Sequence, residues 1–148
     1  MQKQPRKRIT LYSDGSSLGN PGPGGYAGIL QYGSRTKEYR GGEPMTTNNR
    51  MELRAVIEGL KLLKEPCDVT VVSDSSYVVK AINEWLDGWI AKGFKKVKNV
   101  DLWQAYLEAA KPHRIKAVWV RGHDGHEQNE RCDAMAREEA RRYRQGEA

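Results

Sequence analysis

Cysteine and histidine are scarce: two cysteines, Cys67 and Cys132, and three histidines are all the soft or borderline metal ligands present. Neither cysteine stands in a metal-ligand spacing, so structural zinc is excluded, and two well-separated thiols are expected to be reduced. No apolar run approaches the ~20 residues of a membrane-spanning helix. The basic N-terminus MQKQPRKRI also lacks the apolar stretch of a secretory signal. A cytoplasmic protein with no membrane association is the expectation. The glycine-rich stretch SDGSSLGNPGPGGY lacks the Lys-Ser/Thr pair of a nucleotide-binding P-loop, and Pro21 and Pro23 interrupt it. It reads instead as a link between two strands, which leaves Asp14, at the end of the first of them, to be explained.

What is present is a strongly basic chain. Its 148 residues suit a single domain, 1–148, with a basic tail at 1–8 and a frayed end at 145–148. A chain of this length buries roughly 68% of its unfolded surface and needs no disulfide. The net charge is +6, and 30% of residues are charged. Such a balance attracts polyanions, nucleic acid first among them, although it also serves solubility alone.

Short β-branched or aromatic runs predict strands at Ile9–Ser13, Gly25–Tyr32, Thr36–Gly41, Val69–Ser73 and Ile115–Val120. Short links make the first three an antiparallel meander. A helix capped by Thr46 or Thr47 comes next, with Leu53, Val56, Ile57, Leu60 and Leu63 along one face. It can carry the chain across a sheet face into a parallel strand. Further helices are predicted at Ser75–Asn83, Asn83–Lys92, Val100–Lys111 and Gln128–Arg144. The fold class is α/β: a mixed five-stranded sheet, antiparallel meander plus parallel strands, flanked by helices.

Two strands end alike, in Ser13-Asp14 and Ser73-Asp74. If they are parallel neighbours, the two aspartates emerge side by side at the sheet edge where α/β proteins place their sites. Taken singly, each is ordinary turn or N-cap chemistry. Glu52 falls about 80° from the centre of its helix's apolar stripe, a rim position at which a solvated side chain is the simpler reading. Asp133 shares a helical face with Asn129, Ala136 and Ala140, small residues that permit close approach to the sheet. Four carboxylates brought together repel unless protons or cations compensate them, and Mg²⁺ is a hard cation suited to oxygen ligands.

The runs DGSSLGNPGPGGYAG, TTNNRMELRA, SDSSYV, VKNVDLW and VRGHDGHEQNERCD, in that order, closely resemble the bacterial type I ribonuclease H family over Ile9 to Arg142. The resemblance implies a ribonuclease H-like fold. It also implies endonucleolytic hydrolysis of the RNA strand of RNA–DNA hybrids by two-metal-ion catalysis, giving 5′-phosphate and 3′-hydroxyl ends. By motif, the metal-binding carboxylates are Asp14, Glu52, Asp74 and Asp133, holding two Mg²⁺ ions with Mn²⁺ as a substitute. His123 is the catalytic histidine, whereas His113 and His126 keep structural readings. Asn20, Asn48 and Asn49 are assigned to the substrate groove, and Thr47 and Asn99 to a DNA phosphate.

The sequence departs from the family pattern in several places. Ser76 stands where a longer amide is usual, and Met45 where an arginine often supports the phosphate pocket. Asp124 comes after His123 in place of a small uncharged residue. A protrusion at about 84–99 is shortened and less basic, with Lys92, Lys95, Lys96 and Lys98 facing the DNA backbone. Trp85, Trp89 and Phe94 are available for stacking, but most of them are expected to form a small satellite core. A monomer binding an RNA–DNA hybrid is implied, and a non-catalytic hybrid-binding module is the alternative.

Overall fold

A computed structural model of the chain describes residues 5–122 and 126–146. Strands β1 (Lys7–Ser17), β2 (Gly22–Tyr32) and β3 (Arg35–Thr46) form the meander, followed by helix α1 (Asn48–Lys61) and strand β4 (Cys67–Ser73). The chain continues as α2 (Ser76–Lys80), a π-helical turn (Ala81–Trp85) and α3 (Leu86–Ala91). It ends in α4 (Val100–Ala110), β5 (Arg114–Trp119) and α5 (Glu127–Arg144). The five-stranded sheet has the order β3-β2-β1-β4-β5. Pairings β1–β2 and β2–β3 are antiparallel, and β1–β4 and β4–β5 are parallel. This is the mixed sheet expected from the sequence.

Several boundaries differ from the sequence reading. Ser16 and Ser17 pair with Gly25 and Gly24, so the strands reach far into the glycine-rich stretch. β3 runs through Pro44, which an edge strand tolerates because its outer side has no ladder to break. At the other end, β1 takes up Lys7, so the basic tail is shorter than expected. Thr47, not Thr46, caps α1: its Oγ1 accepts from the Arg50 N–H at 3.2 Å. The two helices expected to meet at Asn83 run on as α2, the π turn and α3.

That π turn has a use. Asn83 Nδ2 donates to the Ala117 carbonyl at 2.8 Å, and the Ala117 N–H donates to Asn83 Oδ1 at 3.1 Å. One side-chain amide thus occupies both outward backbone groups of buried Ala117 on edge strand β5. Asn83→Ala strands those groups and should cost about 1–3 kcal/mol in urea unfolding. An unchanged unfolding midpoint would mean that water replaces the amide at no cost.

The main core lies between α1, α4 and one sheet face, where Leu11, Val69 and Val71 meet Leu53, Val56, Leu60 and Trp103. Burying each α1 side chain contributes about 1.5–3 kcal/mol, which holds this helix over β1. On the opposite face, α5 lays Cys132, Met135 and Ala136 against Ala27 and Ile29. Trp89 and Phe94 pack against the main core, with Trp89 edge-on to Trp103 at 5.6 Å. The expected satellite core is therefore an extension of the central one, because Trp103 reaches out to meet the protrusion.

Candidate active site

The β1–β4 register pairs Leu11 with Val71 and Tyr12 with Val72, so the two Ser-Asp ends leave the sheet together. Carboxylate oxygens of Asp14, Glu52 and Asp74 lie within 4.8 Å of one another. Gly15 brings the third of these into place. A β-carbon there would overlap the backbone nitrogen of Glu52 and the carbonyl carbon of Met51, so only glycine lets α1 rest directly on the strand. Glu52 is consequently 4% exposed, which corrects the solvated rim position expected from its helical angle. The angle describes the helix alone, whereas the close contact with β1 covers the rim.

Asp14 is also buried, and its Oδ1 accepts from the Gly15 N–H at 2.9 Å. Burial pushes the Asp14 carboxyl up to about 7; the hydrogen bond with Glu52 works against this, and the charges of Asp74 and Asp133 add to it. Burial, and then the Asp14 charge, push Glu52 well above the usual carboxylate range. Burial and mutual repulsion thus oppose two full negative charges on this pair, which a proton or a cation would relieve. Among the described residues, Glu52 Oε2 has no hydrogen-bond partner in this enclosed position. An all-oxygen donor set, mutual repulsion and an orphaned buried oxygen fit a hard divalent cation.

Asp133 stands beside this group and contributes to the negative field at Asp14. Its own carboxylate pairs with Arg137 Nη2 at 2.8 Å. It shares a small cavity with Asp74, Gly122, His126 and Asn129. The close approach of α5 rests on small residues, as expected: a β-carbon on Gly25 would overlap the α5 backbone at Ala136 and Ala140. His123 and Asp124 lie outside the described residues. His113 is structural, its Nδ1 accepting from the Cys67 N–H at 3.0 Å, and burial lowers its pKa.

A cavity of about 330 Å³ joins Glu52 and Asp74 to Asn48, Asn49, Ser76 and Tyr77. The structure thus places two of the proposed groove residues, Asn48 and Asn49, at the carboxylates, together with Ser76. Asn20 is exposed beside them, and its Oδ1 accepts from the Asn48 N–H at 3.2 Å. A larger groove of about 610 Å³, around Arg8, Thr70 and Lys116, lies near the opposite end of the strands and contains none of the carboxylates.

Asn99 adopts a left-handed conformation, φ 60°, just before α4. Its Nδ2 donates to the Tyr77 hydroxyl at 3.2 Å, and its Oδ1 accepts from Arg50 at 3.4 Å. Arg50 in turn forms a two-pronged pair with Asp101 at 2.9 and 2.7 Å. Arg50, Tyr77 and Asp101 carry no signal of their own in the sequence. They sit inside the recognised motifs, but only the fold shows that they orient Asn99. On the protrusion, Trp85 is 41% exposed, and Lys92, Lys95, Lys96 and Lys98 are all exposed or partly so. Met45 is 66% exposed and supplies no cation there.

The family model described as RNase H matches residues 6–141. Ribonuclease H of Sulfurovum sp. (strain NBC37-1) is 76% identical over 144 residues, covering 97% of this chain and 98% of that protein. The crystal structure of LC9-RNase H1, a type 1 RNase H with the type 2 active-site motif, superposes with TM-score 0.86 at 32% identity, covering 99% of this chain and 76% of that one. LC11-RNase H1 in complex with RNA/DNA hybrid shares the fold at 24% identity and TM-score 0.68, over 90% of this chain and 97% of its own.

Proposed function

The chain belongs to the ribonuclease H family, metal-dependent endoribonucleases acting on RNA–DNA hybrids, and from that premise we propose its substrate contacts, metal and mechanism. The chain hydrolyses the RNA strand of a hybrid by two-metal-ion catalysis, as a monomer, leaving 5′-phosphate and 3′-hydroxyl ends. One observation carries this reading: Asp14, Glu52 and Asp74 hold carboxylate oxygens within 4.8 Å of one another, and two of them, Glu52 and Asp74, open onto the cavity lined by Asn48, Asn49 and Ser76.

Asp14, Glu52 and Asp74, with Asp133 at their side, would hold the divalent ions. When bound, two Mg²⁺ ions, or Mn²⁺ in their place, supply an activated water for in-line attack and charge stabilisation for the leaving 3′-oxygen. Asn20, Asn48 and Asn49 offer amides to sugar hydroxyls and minor-groove edges. The 2′-hydroxyl is the group by which RNA is told from DNA. Ser76 adds a shorter contact in the same groove. Thr47 and the oriented Asn99 grip a phosphate of the DNA strand, and His123 moves a proton or helps product leave.

The test is cleavage of end-labelled hybrid, duplex DNA, duplex RNA and single strands with Mg²⁺. Only the RNA of the hybrid should be cut, with 5′-phosphate ends. Hybrid binding without cutting would identify a non-catalytic binding module instead. For the protrusion, replacing Lys95 and Lys96 together by alanine should raise KM more than it lowers kcat. It should also reduce the salt slope of binding by about 1–2, since each phosphate contact contributes about 0.9. An unchanged affinity and slope would make the protrusion a structural element only.

A further inference from the structure

Asp74 lies between two regular elements: β4 ends at Ser73, and Ser75 is the N-cap of α2. A carboxylate in such a junction points only as reliably as its backbone is held. Both peptide planes flanking its Cα are in fact tied down. The plane before it is held at the Ser73 carbonyl, which accepts from the Val120 N–H at 3.0 Å. The plane after it is held at both ends: the Ser75 N–H donates to Ser73 Oγ at 3.0 Å, and the Asp74 carbonyl accepts from Trp119 Nε1 at 3.1 Å. Fixing both planes fixes φ and ψ of Asp74, and with them the direction of its Cα–Cβ bond. Gly122 closes the remaining side, since a β-carbon there would come within 2.9 Å of Asp74 Oδ2.

Trp119 is 51% exposed, so its contribution to core packing is limited. Its specific contact is the indole N–H bond to the junction. Ser73, by contrast, is fully buried and has a hydroxyl suited to the other half of the same task.

We propose that Trp119 is a positioning residue for the metal site: its indole N–H, with Ser73 Oγ, locks the Asp74 backbone so that the carboxylate stays with Asp14 and Glu52. The proposal rests on the reading of Asp74 as a metal ligand. Groups that orient a metal ligand typically change metal affinity or activity by about 10–100-fold when removed.

Trp119→Phe keeps an aromatic ring and removes the donor, while Ser73→Ala releases the same peptide from its other end. Each is compared with wild type and Asp74→Asn by Mg²⁺-dependent melting, kcat and KM for hybrid. Both variants should need about tenfold more Mg²⁺ for the same rise in melting temperature. At limiting Mg²⁺ their kcat should fall by a similar factor and recover as Mg²⁺ is raised, with KM for hybrid unchanged. Unaltered Mg²⁺ dependence in both variants overturns the proposal. So does a Trp119→Phe defect confined to KM, which would make the indole a stacking surface for substrate. If wild type melts higher with Mg²⁺ but cuts no hybrid, the functional reading fails while the melting comparison still decides the role of Trp119.

Discussion

Asp14→Asn lowers hybrid cleavage by about a thousandfold or more, and at pH 8 without metal it melts higher than wild type. Charge stabilisation by a bound cation is worth several kcal/mol in a transition state, and about 1.4 kcal/mol is a factor of ten, so losing a ligand has an effect of this size. Glu52→Gln and Asp74→Asn should behave alike in activity. The gain in stability comes from burial, which raises the Asp14 carboxyl to about 7 and Glu52 well above its ordinary range. A carboxyl raised on folding favours the folded state fully below its unfolded pKa, near 3.8 for Asp14, and that contribution is lost as pH rises through about 7. Metal-free wild type should therefore melt lower at pH 8 than at pH 5. Asp14→Asn removes one acid and should flatten that decline. Equal slopes of melting temperature against pH in the two proteins would show that Asp14 is not under this strain.

Gly15→Ala is expected to destabilise the chain by about 3 kcal/mol and to lower kcat by about a hundredfold. The added methyl would meet the α1 backbone at Met51 and Glu52, and backbone cannot rotate aside as a side-chain tip can. The helix must move, at the upper end of overpacking costs. Because Glu52 travels with it, the metal site opens, and a displacement of about 1 Å is enough for a loss of this order. Urea unfolding and steady-state kinetics check the two effects separately. A variant within 1 kcal/mol of wild type, with normal kcat, would show that α1 does not depend on this contact.

The strands and the paired Ser-Asp ends were legible because alternation and chain order are local signals, and parallel pairing then places Asp14 beside Asp74. Glu52 was not legible as a buried group from its helix alone. Its enclosure depends on Gly15, a residue in another element whose missing side chain leaves no hydrophobic pattern. The matching serines also looked equivalent, yet Ser73 Oγ accepts from the Ser75 N–H whereas the buried Ser13 Oγ has no hydrogen-bond partner among the described residues. The two chain segments diverge after the aspartates: a helix starts beyond Asp74, whereas strand pairing continues beyond Asp14. Asn83, through two hydrogen bonds, and Trp119, through one, act across elements in a way that no periodicity announces. Asn99 is marked by its motif, but its hold by Arg50 and Tyr77 needed the fold.

The most direct measurement is a calorimetric titration of Mg²⁺ into the metal-free chain at pH 7, repeated in buffers of different ionisation enthalpy. If Asp14, Glu52 and Asp74 form one cation site that holds a proton when empty, wild type binds Mg²⁺ with proton release, and Asp14→Asn loses most of the affinity. The same Mg²⁺ affinity in both proteins would contradict the account.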